Sequence, residues 1–199
     1  MILKIGERKG IYFKVFANEK FLGYFSKKSL DALKVKNNED YPINYVKKIK
    51  VIGQLKYAEN KALSLLKIKD YSKKELFLKL NKVVPQNISK AVVLKMEKLK
   101  YVNDLKYAEN LAKKLIVNKN KGKKLAVLEI IKKGIKEDLA KKAVENLEIN
   151  YEENLKNLIL KKYLNKIKDE NSKKKVIASL LRKGHNYGNI INALNLLKY

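Results

Sequence analysis

The hexapeptide LKYAEN occurs twice in this chain, at Leu55–Asn60 and at Leu105–Asn110, 50 residues apart. A second signal keeps the same step: SKK at Ser72–Lys74, GKK at Gly122–Lys124 and SKK at Ser172–Lys174. KKG at Lys132–Gly134 returns as RKG at Arg182–Gly184, and Ala143 is matched by Ala193. A period in this range marks supersecondary units that cannot bury their apolar faces alone and do so by stacking. Three such units are expected.

Each unit reads as three helices. Leu55, Ala58, Ala62 and Leu65 recur as Leu105, Ala108, Ala112 and Leu115, a three-four-three spacing that lies on one helical face. The second helix is expected to open at the Ser/Gly–Lys–Lys signal, where Ser72 and Glu75 fit a capping box. Leu76, Phe77 and Leu80 follow, then Ala126, Val127, Ile130 and Ile131, then Val176, Ile177, Leu180 and Leu181. Those positions predict one stripe buried three times. Lys132, Lys133, Arg182 and Lys183 fall in last turns, where cations suit the helix dipole, and Gly134 and Gly184 suit left-handed caps. Third helices are expected near 88–99, 137–147 and 187–197. The first helix of the third unit, over 151–168, keeps only YEEN as a trace of the hexapeptide.

The first fifty residues differ in kind. GIYFKVFA at Gly10–Ala17 and KFLGYF at Lys20–Phe25 read as a hairpin, with Ile2–Ile5 as a third strand and a short helix near 27–33. The expected organisation is therefore 1–50 for the hairpin and short helix, then repeats at 51–101, 102–148 and 149–199. The fold class is mainly α: three tandem three-helix repeats in an elongated curved array, with a small N-terminal β-hairpin.

Charge narrows the partners. Lys and Arg number 47 against 20 Asp and Glu, a formal net charge of +27. Arg stands only at positions 8 and 182, as AT-rich coding would produce, but coding bias does not explain the shortage of acids. A polyanion or an acidic protein surface is the expected partner. The lysines are spread along the chain rather than gathered on one amphipathic helix, so a membrane surface is not expected. Without a long apolar run, a signal peptide or a cysteine, a cytoplasmic protein is expected, and a monomer. No catalytic motif or metal-ligand cluster occurs, so neither enzyme activity nor a cofactor is expected.

Several segments resemble the RecX family of RecA regulators. YSKKELFLKL at Tyr71–Leu80 is similar to its R-S-x-x-E-L-x-x-K-L segment, through Ser72, Glu75, Leu76, Lys79 and Leu80, with Tyr71 where Arg is usual. VNDLKYAEN at Val102–Asn110 resembles its L-N-D segment through Asn103, Asp104, Tyr107 and Ala108. KGKKLAVLEIIKKGI at Lys121–Ile135 resembles a third through Lys121, Gly122, Lys133, Gly134 and Ile135, with the Glu displaced. The resemblance spans roughly residues 40–199. It implies a non-enzymatic modulator that lies in the groove of the RecA–DNA filament and blocks filament growth, strand exchange, ATP turnover and repressor self-cleavage.

Candidate contacts with RecA or with single- and double-stranded DNA are Lys73, Lys74, Lys123, Lys124, Lys132, Lys133, Lys173, Lys174, Arg182 and Lys183. A solvated helix end accounts equally for the lysine pairs at the helix starts. A dipole partner is the stronger account of Arg182. Tyr57, Tyr107 and Tyr151 read as packing anchors rather than base-stacking platforms, and His185 as a loop residue. Two rival functions stay open: a sequence-independent nucleic-acid binder, and a scaffold for another acidic protein.

Overall fold

The computed structural model describes residues 1–198. Strands β1 (Ile2–Lys9), β2 (Tyr12–Ala17) and β3 (Lys20–Ser26) precede the short helix α1 (Lys27–Ala32) and a two-residue strand β4 (Glu39–Asp40). They form one antiparallel sheet in the order β3-β2-β1-β4. The expected hairpin is present. Its turn places Asn18 and Glu19 at φ +44° and +66°, the paired left-handed residues whose twist matches flanking strands. β1 runs four residues beyond the expected third strand, and β4 was not legible as a strand at all.

Alternation along the strands turns Leu3, Val15, Ala17 and Phe25 inward, where Leu30, Val46 and Ile49 complete a buried cluster. The long helix α2 (Ile43–Ile68) supplies the last two of these. At Gly53 a methyl group would fall 1.9 Å from the Phe25 ring, so only glycine lets that ring lie against the helix. Further along α2, Ala58 and Ala62 are buried with α3 (Lys73–Leu80) and α4 (Gln86–Lys98). One helix of about 39 Å thus serves both the sheet and the first helical group.

The chain divides into two compact units, Met1–Val102 and Asn103–Tyr199. In the second, α5 (Asp104–Lys113) runs into a π-helical turn at Lys114–Asn118, followed by α6 (Lys123–Lys132) and α7 (Glu137–Glu145). Then come α8 (Tyr151–Lys162), a 3-10 turn at Leu164–Lys166, α9 (Glu170–Arg182) and α10 (Tyr187–Leu196). Each helical trio has its own buried cluster. Among the described residues no strand follows Asp40.

The second helices α3, α6 and α9 open at 73, 123 and 170, close to the expected starts. The capping box of Ser72 and Glu75 is formed, with Glu75 N–H donating to Ser72 Oγ at 3.1 Å. The third start differs. Asp169 caps α9, receiving the Ser172 N–H at 2.7 Å, and Ser172 is its reciprocal partner rather than the cap. An aspartate three residues upstream offers a charged acceptor and wins the position, which adds almost a turn to the helix. The expected continuous helix over 151–168 is also corrected, because α8 ends at Lys162 before the 3-10 turn.

The repeated stripe is narrower than expected. Leu76, Ala126 and Val176 are buried, and Leu80, Ile130 and Leu180 are fully so. Phe77 and Ile131 are half-buried, and Leu181 is 42% exposed. Each helical residue turns about 100° from its neighbour, so the positions just after the buried pair lie on its flank. Gly134 and Gly184 adopt φ +87° and +84°, the expected left-handed ends.

Candidate functional site

In the first unit, Lys73 and Lys74 are the first two residues of α3. Lys73 Nζ reaches Glu97 on α4 at 2.8 Å, whereas Lys74 is exposed, with no carboxylate partner among the described residues. The two lysines, with Lys90, edge an open cleft of about 430 Å3 floored by Phe77, Val93 and Leu94.

In the second unit, Lys123 and Lys124 open α6 behind Gly122, which has no side chain to cap with. The Gly122 N–H instead donates to the Lys183 carbonyl at 2.8 Å. A methyl group on Gly122 would fall 1.9 Å from the Gly184 carbonyl oxygen, so the start of α6 and the end of α9 meet at two glycines. Lys123 Nζ lies 5.3 Å from the centre of the Tyr151 ring, a cation–π contact. Tyr151 is buried, and its hydroxyl lies 2.7 Å from His185 Nδ1.

His185 is in a loop as expected, but it is only 6% exposed. Its Nε2 lies 3.2 Å from the Asn120 carbonyl, which can only accept, so Nε2 carries the proton. Nδ1 then accepts from the Tyr151 hydroxyl. Burial lowers the imidazole pKa from its ordinary value, the Asn120 carbonyl opposes that shift, and the Lys183 cation adds to it. Burial likewise raises that of Tyr151. This latch ties α9 and α8 to the loop before α6. Its partners stand 34 and 65 residues apart, so no local pattern could have announced it.

The other candidates fall elsewhere. Lys132 and Lys133 lie at the opposite end of α6 from Lys123 and Lys124, about 15 Å along the helix. Because α9 starts early, Lys173 and Lys174 lie inside it, and Lys173 approaches Glu170 at 3.5 Å. Arg182 is the last residue of α9, exposed, and Lys183 is its cap. The structure thus brings Lys123 and Lys124 close to the backbone at Lys183, and keeps Lys132, Lys133, Lys173 and Lys174 apart from them. All three repeat tyrosines pack inside the protein. Tyr57 stacks on Tyr24, Tyr107 adjoins the cluster of the second trio, and Tyr151 belongs to it.

Among the described residues no group of His, Asp and Glu could hold a metal ion. No helix of theirs is long and apolar enough to cross a membrane.

These features define a class: a strongly basic, mainly helical protein of packed three-helix groups, with a small sheet on its first long helix. Solved structures give the particular fold. The chain is similar to a crystal structure of regulatory protein RecX, with TM-score 0.68 and 18% identity over 96% of this chain and 97% of that one. It is also similar to RecX from Lactobacillus salivarius, with TM-score 0.66 and 27% identity over 73% of this chain and 97% of that one. The resemblance read from the motifs is borne out, and the chain has the RecX fold. No protein-family profile and no curated protein sequence matches it.

Proposed function

We propose that this chain is a non-enzymatic, cytoplasmic regulator of the recombinase RecA. It binds in the groove of the RecA–DNA filament and inhibits filament growth, ATP hydrolysis and strand exchange, and so acts on DNA recombination, repair and the SOS response. The observation that carries this reading is the RecX fold over 96% of the chain, joined to the family motifs at Tyr71–Leu80, Val102–Asn110 and Lys121–Ile135. The charge of +27 supplies attraction to a filament that carries DNA phosphates. Lys74, Lys124, Lys174 and Arg182 are exposed without a carboxylate partner among the described residues, and are therefore available to phosphate or acidic protein. Lys123 and Lys183 flank them at the junction of α6 and α9.

The test is DNA-dependent ATP hydrolysis by RecA at fixed salt. It compares the wild type, a variant carrying Lys123→Glu, Lys124→Glu and Arg182→Glu, and an unrelated protein of similar positive charge. The wild type inhibits at amounts well below one per RecA protomer, because one bound molecule stops a growing filament end. The triple reversal inhibits less while melting as the wild type does, since all three side chains lie off the buried stripe. Equal inhibition by the unrelated protein would reduce the effect to competition for DNA and favour a sequence-independent nucleic-acid binder.

A further inference from the structure

The N-terminal sheet has a second face that the core does not use. With Val15 and Ala17 turned inward on β2, alternation turns Tyr12, Lys14 and Phe16 outward. Cross-strand pairing extends this face into rows. Lys4 of β1, Phe16 of β2 and Phe21 of β3 form one, and Lys9, Tyr12 and Ser26 another. Between them Lys14 stands opposite Tyr24. The rings touch in sequence: Phe16 and Phe21 at 5.6 Å between centroids, Phe21 and Tyr24 at 5.3 Å, Tyr24 and Tyr57 at 5.2 Å, Tyr57 and Tyr12 at 4.9 Å.

This is the wrong composition for an idle surface. The solvent side of a half-buried antiparallel sheet ordinarily carries polar residues, yet here Phe21 is 49% exposed and Phe16 half-exposed. The Phe16 ring lies across Gly6, where a methyl group would come within 3.0 Å of it, so the ring is held against β1. A line of cations borders the rings on the β1 side, Lys4 and Lys9, with Lys14 among them. Glu7 pairs with Lys14 at 3.2 Å and is the acid that faces this patch. Over residues 1–26 the cations Lys4, Arg8, Lys9, Lys14 and Lys20 outnumber the acids Glu7 and Glu19.

We propose that this outward face is a stacking platform for the bases of single-stranded nucleic acid. Phe21, with Phe16 and Tyr24 behind it, offers ring faces, and Lys4, Lys9 and Lys14 take the phosphates. Exposed sheet aromatics interleaved with lysines suit this ligand, because every base has a π-face and every linkage a negative charge. Duplex DNA, whose bases are already stacked, does not use the rings. The platform lies away from every lysine pair assigned to the filament contact, and it stands independently of the reading as a RecA regulator.

The experiment measures fluorescence anisotropy of the full chain with a labelled oligothymidylate and with an abasic oligonucleotide of equal length. The abasic strand keeps the phosphates and lacks the rings. The wild type prefers the oligothymidylate by about tenfold, the scale of one or two stacked bases. Phe21→Leu removes most of that preference and leaves abasic binding unchanged, Phe16→Leu with Phe21→Leu abolishes it, and Phe21→Trp retains it. Equal wild-type affinity for the two strands, or a preference that survives in the double variant, overturns the proposal and leaves the face to an acidic protein partner. Because Phe21 is half-exposed, its substitution leaves thermal melting near that of the wild type. No RecA is present, so failure here and failure in the ATP hydrolysis test are separately readable.

Discussion

His185, the only histidine of the chain, holds two distant segments through both ring nitrogens, and it does so as a neutral ring. Its pKa in the folded protein is lowered, chiefly by burial, from the ordinary 6.5. The folded state therefore binds fewer protons than the unfolded chain in the window just below 6.5. The resulting stability is fully present above the unfolded value and is lost as pH falls toward and through the folded one. The thermal midpoint of the wild type should drop between about pH 7.5 and about pH 5.5, above the range where carboxylates titrate. His185→Gln keeps an amide that can donate to the Asn120 carbonyl but cannot titrate. It should melt lower than the wild type near pH 7.5 and show a shallower slope over the same interval. Parallel slopes would mean that protonation does not open the latch.

Among the elements, α9 shows what a fifty-residue pattern reveals and what it conceals. Leu180 and Leu181 are neighbours of equal hydrophobicity, yet one is fully buried and the other 42% exposed. Leu180→Ala should cost about 2–5 kcal/mol in urea unfolding. Leu181→Ala should cost within about 0.5 kcal/mol, as surface substitutions do. A large loss at Leu181 would place it in an interface instead. The repeat made the second helices, their buried residues Leu76, Ile130 and Leu180, and their glycine ends legible, since each depends on spacing within a few turns. It left the stripe one residue too wide, because apolar type alone does not separate a core position from its flank. The start of α9 escaped because two residues, Asp169 and Ser172, can each cap, and only their geometry decides. The Tyr151–His185–Asn120 latch and the short β4 depend on contacts far apart in sequence. The lysine signal named the candidates but not their company. Lys73 turned out to pair with Glu97 and Lys123 to lie over Tyr151, contacts that a run of lysines does not encode.

For the whole molecule, the surplus of cations sets how binding responds to salt. Its carboxylates are too few to neutralise 47 Lys and Arg, and several are already held in ion pairs, such as Glu59 with Lys95 and Glu137 with Lys141. Cations that meet phosphates release condensed counterions, so the logarithm of affinity falls with the logarithm of salt, by about 0.7 per contact on single strands and about 0.9 on duplex. If about six cations engage, affinity for bare DNA should fall about a thousandfold from about 50 mM to about 200 mM salt. Contacts with RecA protein release fewer counterions, and affinity for the assembled filament should fall less over the same range. Titration of both targets at several salt concentrations gives the two slopes. The triple reversal at Lys123, Lys124 and Arg182 should flatten the bare-DNA slope by up to about three contacts. Equal slopes for DNA and filament would show that phosphates supply the whole interaction, and RecA would then be a bystander to binding rather than the partner.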